Sequence, residues 1–276
     1  MTQHEASVAS AALLDLARDI AVRASEFTLQ ARRAGVSVAA TKSTHTDIVT
    51  AVDRDTEALI RSLILDARPA DGIVGEEDAT HDGTSGLDWV VDPIDGTVNF
   101  LYGIPAWAVS IAVVEGAGAG GVDGTTLAGV VVNPVTGELF EATAGGGARL
   151  AGRELAVNPT VALGSALVGT GFGYAAEQRR KQARVLLDLL PKVRDIRRIG
   201  SAALDLSALA AGRLDAFYEH GLNAWDHAAG ALIAREAGAR IGGPGGGREN
   251  SELLIAAAPG LYEELAAALR EAGADA

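Results

Sequence analysis

Apolar residues follow two kinds of spacing along this chain. In residues 7–34 they recur at three- and four-residue steps, which predicts an amphipathic helix, and a second helix is predicted over 51–67. Short apolar runs bounded by glycine, proline or polar residues predict strands, in the first half at 72–75, 87–91, 107–114, 127–132 and 138–143. The second half alternates predicted strands at 166–169, 195–199, 214–218 and 253–257 with predicted helices at 175–190, 201–211, 225–237 and 261–271. A first half rich in strands, followed by a second half in which strands and helices alternate, favours a fold of layered sheets and helices.

Composition narrows the class of protein. The chain has 276 residues, 48% of them hydrophobic, and no long linker, so we expect one globular domain spanning 1–276. It contains no cysteine, which excludes disulfides, thiolate zinc sites and a cysteine nucleophile. No apolar run reaches the roughly 18 residues of a membrane span, and no basic region precedes the N-terminal apolar residues. We therefore expect a cytoplasmic protein that does not associate with membranes.

Two carboxylates stand close together in the segment 89–100. An apolar strand leads to Asp92, and Pro93 cannot extend a hydrogen-bonded ladder, so the chain is expected to turn there. Asp95 follows three residues after Asp92 on this rigid turn. Together with the carbonyl of Ile94, the two side chains offer hard oxygen ligands of the kind that Mg²⁺ prefers.

The same turn offers groups that suit an anion. Gly96 permits close approach of the backbone, and Thr97 stands where a helix could begin, so their amides could bind a phosphate oxygen. The net charge of −13 argues against general nucleic-acid binding. An acidic protein can bind phosphate when a divalent cation reverses the local charge. The pattern therefore indicates a phosphate site built on metal.

Two further acidic elements have the same character. The apolar run 73–75 ends in Glu76 and Glu77, of which Glu76 is the better candidate ligand. Asp226 stands at the start of a predicted helix, where a carboxylate also caps the helix. Each element alone is more typical of a solvated loop or a cap, but together they predict additional arms of a metal site.

In combination, these motifs resemble the inositol monophosphatase family, the lithium-sensitive Mg²⁺-dependent phosphatases. The family's pattern of GEE, DPIDGT-x-NF and WD-xx-AG occurs here at 75–77, 92–100 and 225–230, and 46–53 and 198–203 are similar to two more of its segments. The resemblance extends from Lys42 to about Gly242 and is greatest for the bacterial inositol-1-monophosphatase branch.

The resemblance implies a set of metal ligands. Glu76, Asp92 and the Ile94 carbonyl would hold a first Mg²⁺ that activates water, so Glu76 also counts as catalytic. Asp92, Asp95 and Asp226 would hold a second ion, and Glu76 would contact a third through water. Asp95 and Asp226 would also border the substrate. We therefore expect two to three Mg²⁺ ions in each active site.

It also implies roles in catalysis and substrate binding. Thr97, hydrogen-bonded with a carboxylate such as Asp47, would orient the attacking water and help to deprotonate it. The amides of Gly96 and Thr97 would hold the phosphate. Glu219 would bind hydroxyl groups of the ring, and Ala202 would lie beside that ring.

The implied fold is α+β, a layered α-β-α-β-α sandwich, and the implied assembly is a homodimer. The implied reaction is hydrolysis of inositol monophosphate, a small phosphorylated polyol, to inositol and phosphate. Histidinol phosphate, fructose 1,6-bisphosphate and nucleotide 3′-phosphates stay open as substrates, because related sequences share the metal ligands. A different class also stays open: an interaction protein of RNA processing or transcription.

Overall fold

The fold is seen in a computed structural model that describes residues 3–35, 38–41, 48–116 and 124–274. These ranges contain seven α-helices, in chain order α1 Gln3–Ala34, α2 Ala51–Ala67, α3 Thr97–Tyr102, α4 Ala176–Leu189, α5 Ala202–Ala210, α6 Ala224–Glu236 and α7 Pro259–Glu271. Every helix predicted from the apolar spacing is present, with ends that differ by a few residues at most. Tertiary packing decides these ends, and apolar spacing locates them only approximately.

The same ranges contain fourteen strands. They are β1 Val38–Thr41, β2 Ile48–Thr50, β3 Gly72–Gly75, β4 Leu87–Asp95, β5 Ala108–Glu115, β6 Thr125–Asn133, β7 Glu138–Thr143, β8 Gly147–Leu150, β9 Arg153–Glu154, β10 Leu167–Thr170, β11 Asp195–Arg197, β12 Ala216–Glu219, β13 Arg240–Gly242 and β14 Leu254–Ala257. β3 to β9 form a seven-stranded sheet in chain order, β11-β10-β12-β14-β13 form a five-stranded sheet, and β1 pairs with β2.

The two sheets and the helices stack in layers. Ala17 and Ile20 of α1 and Ile60 of α2 are buried against one face of the seven-stranded sheet. α5 and α6 lie between the other face of that sheet and the five-stranded sheet, within one shared core. α4 and α7 cover the outer face of the five-stranded sheet, with Leu189 and Leu265 buried there. The expected α-β-α-β-α order is confirmed.

The composition of α6 follows from its place in the middle layer. Nine of its thirteen residues are buried, and five of those nine are alanines. A helix between two sheets must be apolar on nearly all sides, and small side chains allow both sheets to approach it. Its N-terminal turn, with half-buried Asp226, lies at the cavity between the sheets.

One expectation about β4 is wrong. The chain does not leave the sheet at Pro93; β4 continues to Asp95, and its pairing with β5 shifts register between Asp92 and Asp95. Such an irregularity leaves a residue unpaired, and a proline fits there because it has no N–H to contribute. The shift bends the strand and presents both aspartates at its end. In the described part of the chain, no helix is both long and apolar enough to cross a bilayer.

Candidate active site

The predicted site residues converge on one cavity of about 380 Å³, formed where the two sheets and the middle helices meet. Asp47 lies outside the residues that the structure describes. All the other predicted site residues line this cavity: Glu76, Asp92, Ile94, Asp95, Gly96, Thr97, Ala202, Glu219 and Asp226.

Three carboxylates form the centre of the site. One oxygen from each of Asp92, Asp95 and Asp226 lies within 4.8 Å of the other two, although the residues come from β4 and α6. Asp92 and Asp95 are buried, and Asp226 is half-buried. Carboxylate oxygens this close repel one another unless protons or a cation intervene. The three aspartates therefore form a group that could bind a metal ion, and their oxygen atoms fit a hard divalent cation such as Mg²⁺.

Each aspartate is fixed by neighbouring groups. Asp92 Oδ1 accepts a hydrogen bond from the Ile94 amide at 3.0 Å. Asp226 Oδ2 accepts one from the Asn223 amide at 2.6 Å, as part of the capping box that begins α6. Asp95 Oδ2 accepts bonds from the Ser201 hydroxyl and the Ala203 amide at 2.6 and 2.7 Å. These hydrogen bonds hold one oxygen of each carboxylate in place.

The turn after β4 depends on Gly96. This residue adopts φ = 97°, a left-handed conformation that favours glycine, and α3 begins at the next residue. Asn99 of α3 donates hydrogen bonds to the carbonyls of Ala106 and Ile199 at 2.6 and 2.9 Å. These bonds tie the turn to the loop that leads to Ser201, so the Asp95 and Ala202 sides of the cavity are held together.

Burial and crowding alter the acidity of these groups. Burial, with a smaller effect from neighbouring Glu76, raises the pKa of Asp92 well above its usual value. Burial raises the pKa of Asp95 to about 6, against the lowering effect of the Ser201 hydrogen bond. Burial and the charge of Asp95 raise the pKa of Glu219 to about 8. In the metal-free protein the cavity therefore favours bound protons, as expected for a site that normally holds positive charge.

These pKa values predict a pH dependence for the metal-free protein. Unfolded carboxyl groups titrate near pH 4, whereas Asp95 and Glu219 in the folded state titrate near 6 and 8. Between pH 4 and 8 the folded state binds more protons than the unfolded state. The stability that Asp95 and Glu219 contribute is therefore fully present below about pH 4 and is lost as pH rises towards 8. We expect calorimetry of the metal-free protein to show Tm falling by at least about 2–4 °C, equivalent to about 1 kcal/mol. This fall in Tm should be smaller in the presence of Mg²⁺ and in the Glu219→Gln variant. A Tm of the metal-free protein that does not change with pH would contradict the prediction.

Two functional groups were not predicted. The Thr97 hydroxyl lies 3.1 Å from Asp53 Oδ1, and fully buried Asp53 also accepts a hydrogen bond from the Thr50 amide at 2.9 Å. The signal was available, because Thr50 and Asp53 have the spacing of a capping box at the start of α2. Arg198 is the one lysine or arginine among the described residues that line the cavity. Its position depends on the fold of the loop before Ser201, which no local pattern predicts.

Comparisons with known proteins agree with this geometry. Residues 10–274 match the model of the inositol monophosphatase family. The chain is 48% identical to the inositol-1-monophosphatase of Mycobacterium bovis, over 94% of each chain. It is 38% identical to the Vibrio cholerae protein named Nus factor SuhB, over 92% of this chain and 96% of the relative.

The fold is similar to that of a solved structure. The crystal structure of the extragenic suppressor protein suhB from Bartonella henselae superposes with a TM-score of 0.87 at 34% identity, and the match covers 94% of this chain and 99% of the other. Sequence and fold therefore agree, and the chain belongs to the inositol monophosphatase family and is a phosphoric monoester hydrolase.

Proposed function

We propose that this enzyme hydrolyses inositol monophosphate to inositol and phosphate. The observation that carries the proposal is the convergence of three carboxylates, the Thr97–Asp53 pair and Glu219 in or beside one cavity. One side of this cavity suits a cation and an anion bound to it, whereas Glu219 suits hydroxyl groups. The name of the Mycobacterium bovis relative supports the same substrate.

The donor set fits Mg²⁺. We propose that Glu76, Asp92, Asp95, Asp226 and the Ile94 carbonyl hold two to three Mg²⁺ ions in each site. When bound, the ions would offset the carboxylate charge and act as Lewis acids on phosphate and water oxygens. Oxygen ligands without thiolate or imidazole favour Mg²⁺ over zinc. Following the family resemblance, we propose that lithium inhibits by competing at this site, which inhibition assays can test.

Thr97 and Asp53 are placed to orient the attacking water. The Thr97 hydroxyl can donate its hydrogen bond to Asp53 Oδ1, which leaves the threonine oxygen free to accept one from water. During attack, the Thr97 oxygen would accept a proton from the water and give its own hydroxyl proton to Asp53. We therefore propose Asp53 for this role, which the family resemblance implied for Asp47. The Gly96 and Thr97 amides, at the start of α3, would hold the phosphate.

The side of the cavity formed by Glu219 and Ala202 would hold the alcohol part of the substrate. Glu219→Gln should raise KM more than it lowers kcat, because hydrogen bonds to the ring exist in the ground and transition states alike. Bound Mg²⁺ favours the ionised form of Glu219, so the expected loss in kcat/KM is about 1.5–3 kcal/mol, typical of a hydrogen bond to a charged group. Steady-state kinetics of the wild type and the variant with inositol 1-phosphate measure this loss. A simple ester such as p-nitrophenyl phosphate is the control, and equal damage to both substrates would refute this role.

Other phosphate esters stay as alternatives, and one observation favours a substrate with a second phosphate group. Arg198 could bind a second anionic group, such as the second phosphate of fructose 1,6-bisphosphate. A phosphate-release panel with Mg²⁺ should compare inositol 1-phosphate, histidinol phosphate, fructose 1,6-bisphosphate and adenosine 3′,5′-bisphosphate. Inositol 1-phosphate is expected to give the highest kcat/KM, and a clear preference for another ester would replace the proposed substrate.

The Vibrio cholerae relative's name, Nus factor, favours a second function in which the protein docks to transcription or RNA-processing machinery. Pulldowns with the wild type and a catalytically inactive variant would separate docking from catalysis.

We also propose a homodimer. Tyr102, Ile104 and Val135 are exposed, and Asn133 joins their loops by donating a hydrogen bond to the Pro105 carbonyl at 3.2 Å. Light scattering after gel filtration would test this proposal, with an expected mass of twice that of one chain.

A further inference from the structure

Two side chains of α2 form hydrogen bonds with the backbone of the loop that carries Glu76. Glu57 is fully buried, and its Oε2 accepts a hydrogen bond from the Glu77 amide at 2.7 Å. Its Oε1 accepts bonds from the Asp78 amide at 3.1 Å and from Arg61 Nε at 2.8 Å. Arg61 also donates from Nη2 to the Asp78 carbonyl at 3.2 Å. Both side chains therefore bind the backbone that follows Glu76.

The backbone before Glu76 is also fixed by Glu57. A Cβ atom at Gly75 would overlap the Glu57 carboxylate, so the strand approaches this side chain as closely as only glycine allows. Gly75 is the last residue of β3 and pairs in parallel with Val91, which precedes Asp92 on β4. Glu76 thus stands between two points that Glu57 defines, beside the strand that bears Asp92.

This arrangement places a buried negative charge behind an acidic loop. Glu76, Glu77 and Asp78 are all acidic, so Coulomb repulsion disfavours a carboxylate at this place. The arrangement is tolerated because the carboxylate receives two backbone N–H groups and a guanidinium, which offset the cost of burial. The bonds act on the position of the loop backbone, and the Glu76 side chain helps to form the wall of the cavity.

One face of α2 supports two parts of the site. Asp53, Glu57 and Arg61 are spaced four residues apart, so they lie along the same side of the helix. The first contacts Thr97, and the other two hold the Glu76 loop. Since an α-helix rises about 1.5 Å per residue, the rigid helix sets the distance between the two contacts.

We propose that Glu57 and Arg61 are positioning residues that hold Glu76 at the aspartate cluster and thereby set the affinity of the site for divalent cations. The inference rests on the proposed function for the identity of the cation site. Groups that orient metal ligands from behind typically change metal affinity by about 10- to 100-fold when they are replaced. Neither side chain needs to touch the cation or the substrate for this effect.

The test is a Mn²⁺ titration of the purified full chain, followed by electron paramagnetic resonance of the free ion. Glu57→Gln keeps the shape but presents an amide NH₂ group to N–H donors, so we expect Mn²⁺ affinity to fall about 10-fold or more. The Mg²⁺ concentration for half-maximal phosphate release should rise in parallel, with a smaller change in KM for substrate. The matched control is Asp55→Asn, which removes an exposed carboxylate from the same helix and should leave both values unchanged.

Two more variants separate positioning from general stability. Gly75→Ala should weaken Mn²⁺ binding as Glu57→Gln does, and the double variant should lose less than the two effects combined, because both changes displace the same loop. Arg61→Gln retains the bonds from Glu57 to the amides and should cause a smaller loss; it also serves if Glu57→Gln does not fold. A folded Glu57→Gln protein that binds Mn²⁺ like the wild type would overturn the proposal, as would a lower Tm with unchanged affinity. A wild type that binds Mn²⁺ but hydrolyses no ester would refute the proposed function and leave the positioning role intact.

Discussion

Removal of divalent metal is expected to abolish phosphate release. Without a cation, the carboxyl groups of Asp92, Asp95 and Asp226 offer a phosphate no positive charge, and those that are ionised repel it. Lewis-acid stabilisation of the transition state is worth several kcal/mol, so we expect a loss of at least about 10³-fold. The measurement is phosphate release by protein treated with EDTA and dialysed, before and after addition of Mg²⁺.

The controls for metal removal distinguish chemistry from unfolding. Circular dichroism of the metal-free protein should show the helices and sheets retained, since the layers pack through apolar cores that contain none of these carboxylates. Mg²⁺ should restore activity, and Ca²⁺ should restore less, because Ca²⁺ is larger and prefers more ligands at longer distances. Full turnover by folded, metal-free protein would contradict the proposed mechanism.

Local patterns were sufficient to predict most of the secondary structure. The spacing of apolar residues in α2 and the start of that helix after Thr50 correspond to the structure because helix period and capping are local properties. The strands β8 and β13 were not predicted, since each has at most four residues and gains its stability from neighbouring strands. The order of layers came from the family resemblance, and the buried faces of the sheets confirm it.

The sequence alone predicted some of the site residues, but not those that only the fold brings together. Asp92 and Asp95 stand in one short motif, so the sequence alone indicates that they lie close together, although they share the irregular end of β4 and not a turn. No local rule brings Asp226 to them, because more than a hundred residues separate it from β4. Its carboxylate at the start of a predicted helix suggested a further arm of the site, and the resemblance supplied its role as a ligand. The Asp53–Thr97 contact spans 44 residues and depends on how α2 packs beside β4. Side chains that act across layers are visible only after the layers are assembled.

Replacement of Asp95 by asparagine is expected to lower kcat by at least about 10²-fold while the fold is retained. An asparagine oxygen in place of Oδ2 can still accept the bonds from the Ser201 hydroxyl and the Ala203 amide. The amide NH₂ group then faces the cluster, where it cannot serve as a ligand for a cation. Loss of one ligand removes transition-state stabilisation of several kcal/mol, so kcat should fall more than KM changes.

Asp205→Asn is the matched control for Asp95→Asn. Asp205 is also buried beside the cavity, and burial together with the charge of Glu219 raises its pKa well above the usual value. Its Oδ1 has no hydrogen-bond partner among the described residues, so a neutral amide should replace the protonated carboxyl with little effect on kcat, while an NH₂ group without an acceptor lowers Tm. Steady-state kinetics with inositol 1-phosphate and thermal unfolding of both variants supply the comparison. If the two variants lost activity equally, removal of any buried carboxyl would explain the loss, and Asp95 would have no special role as a ligand.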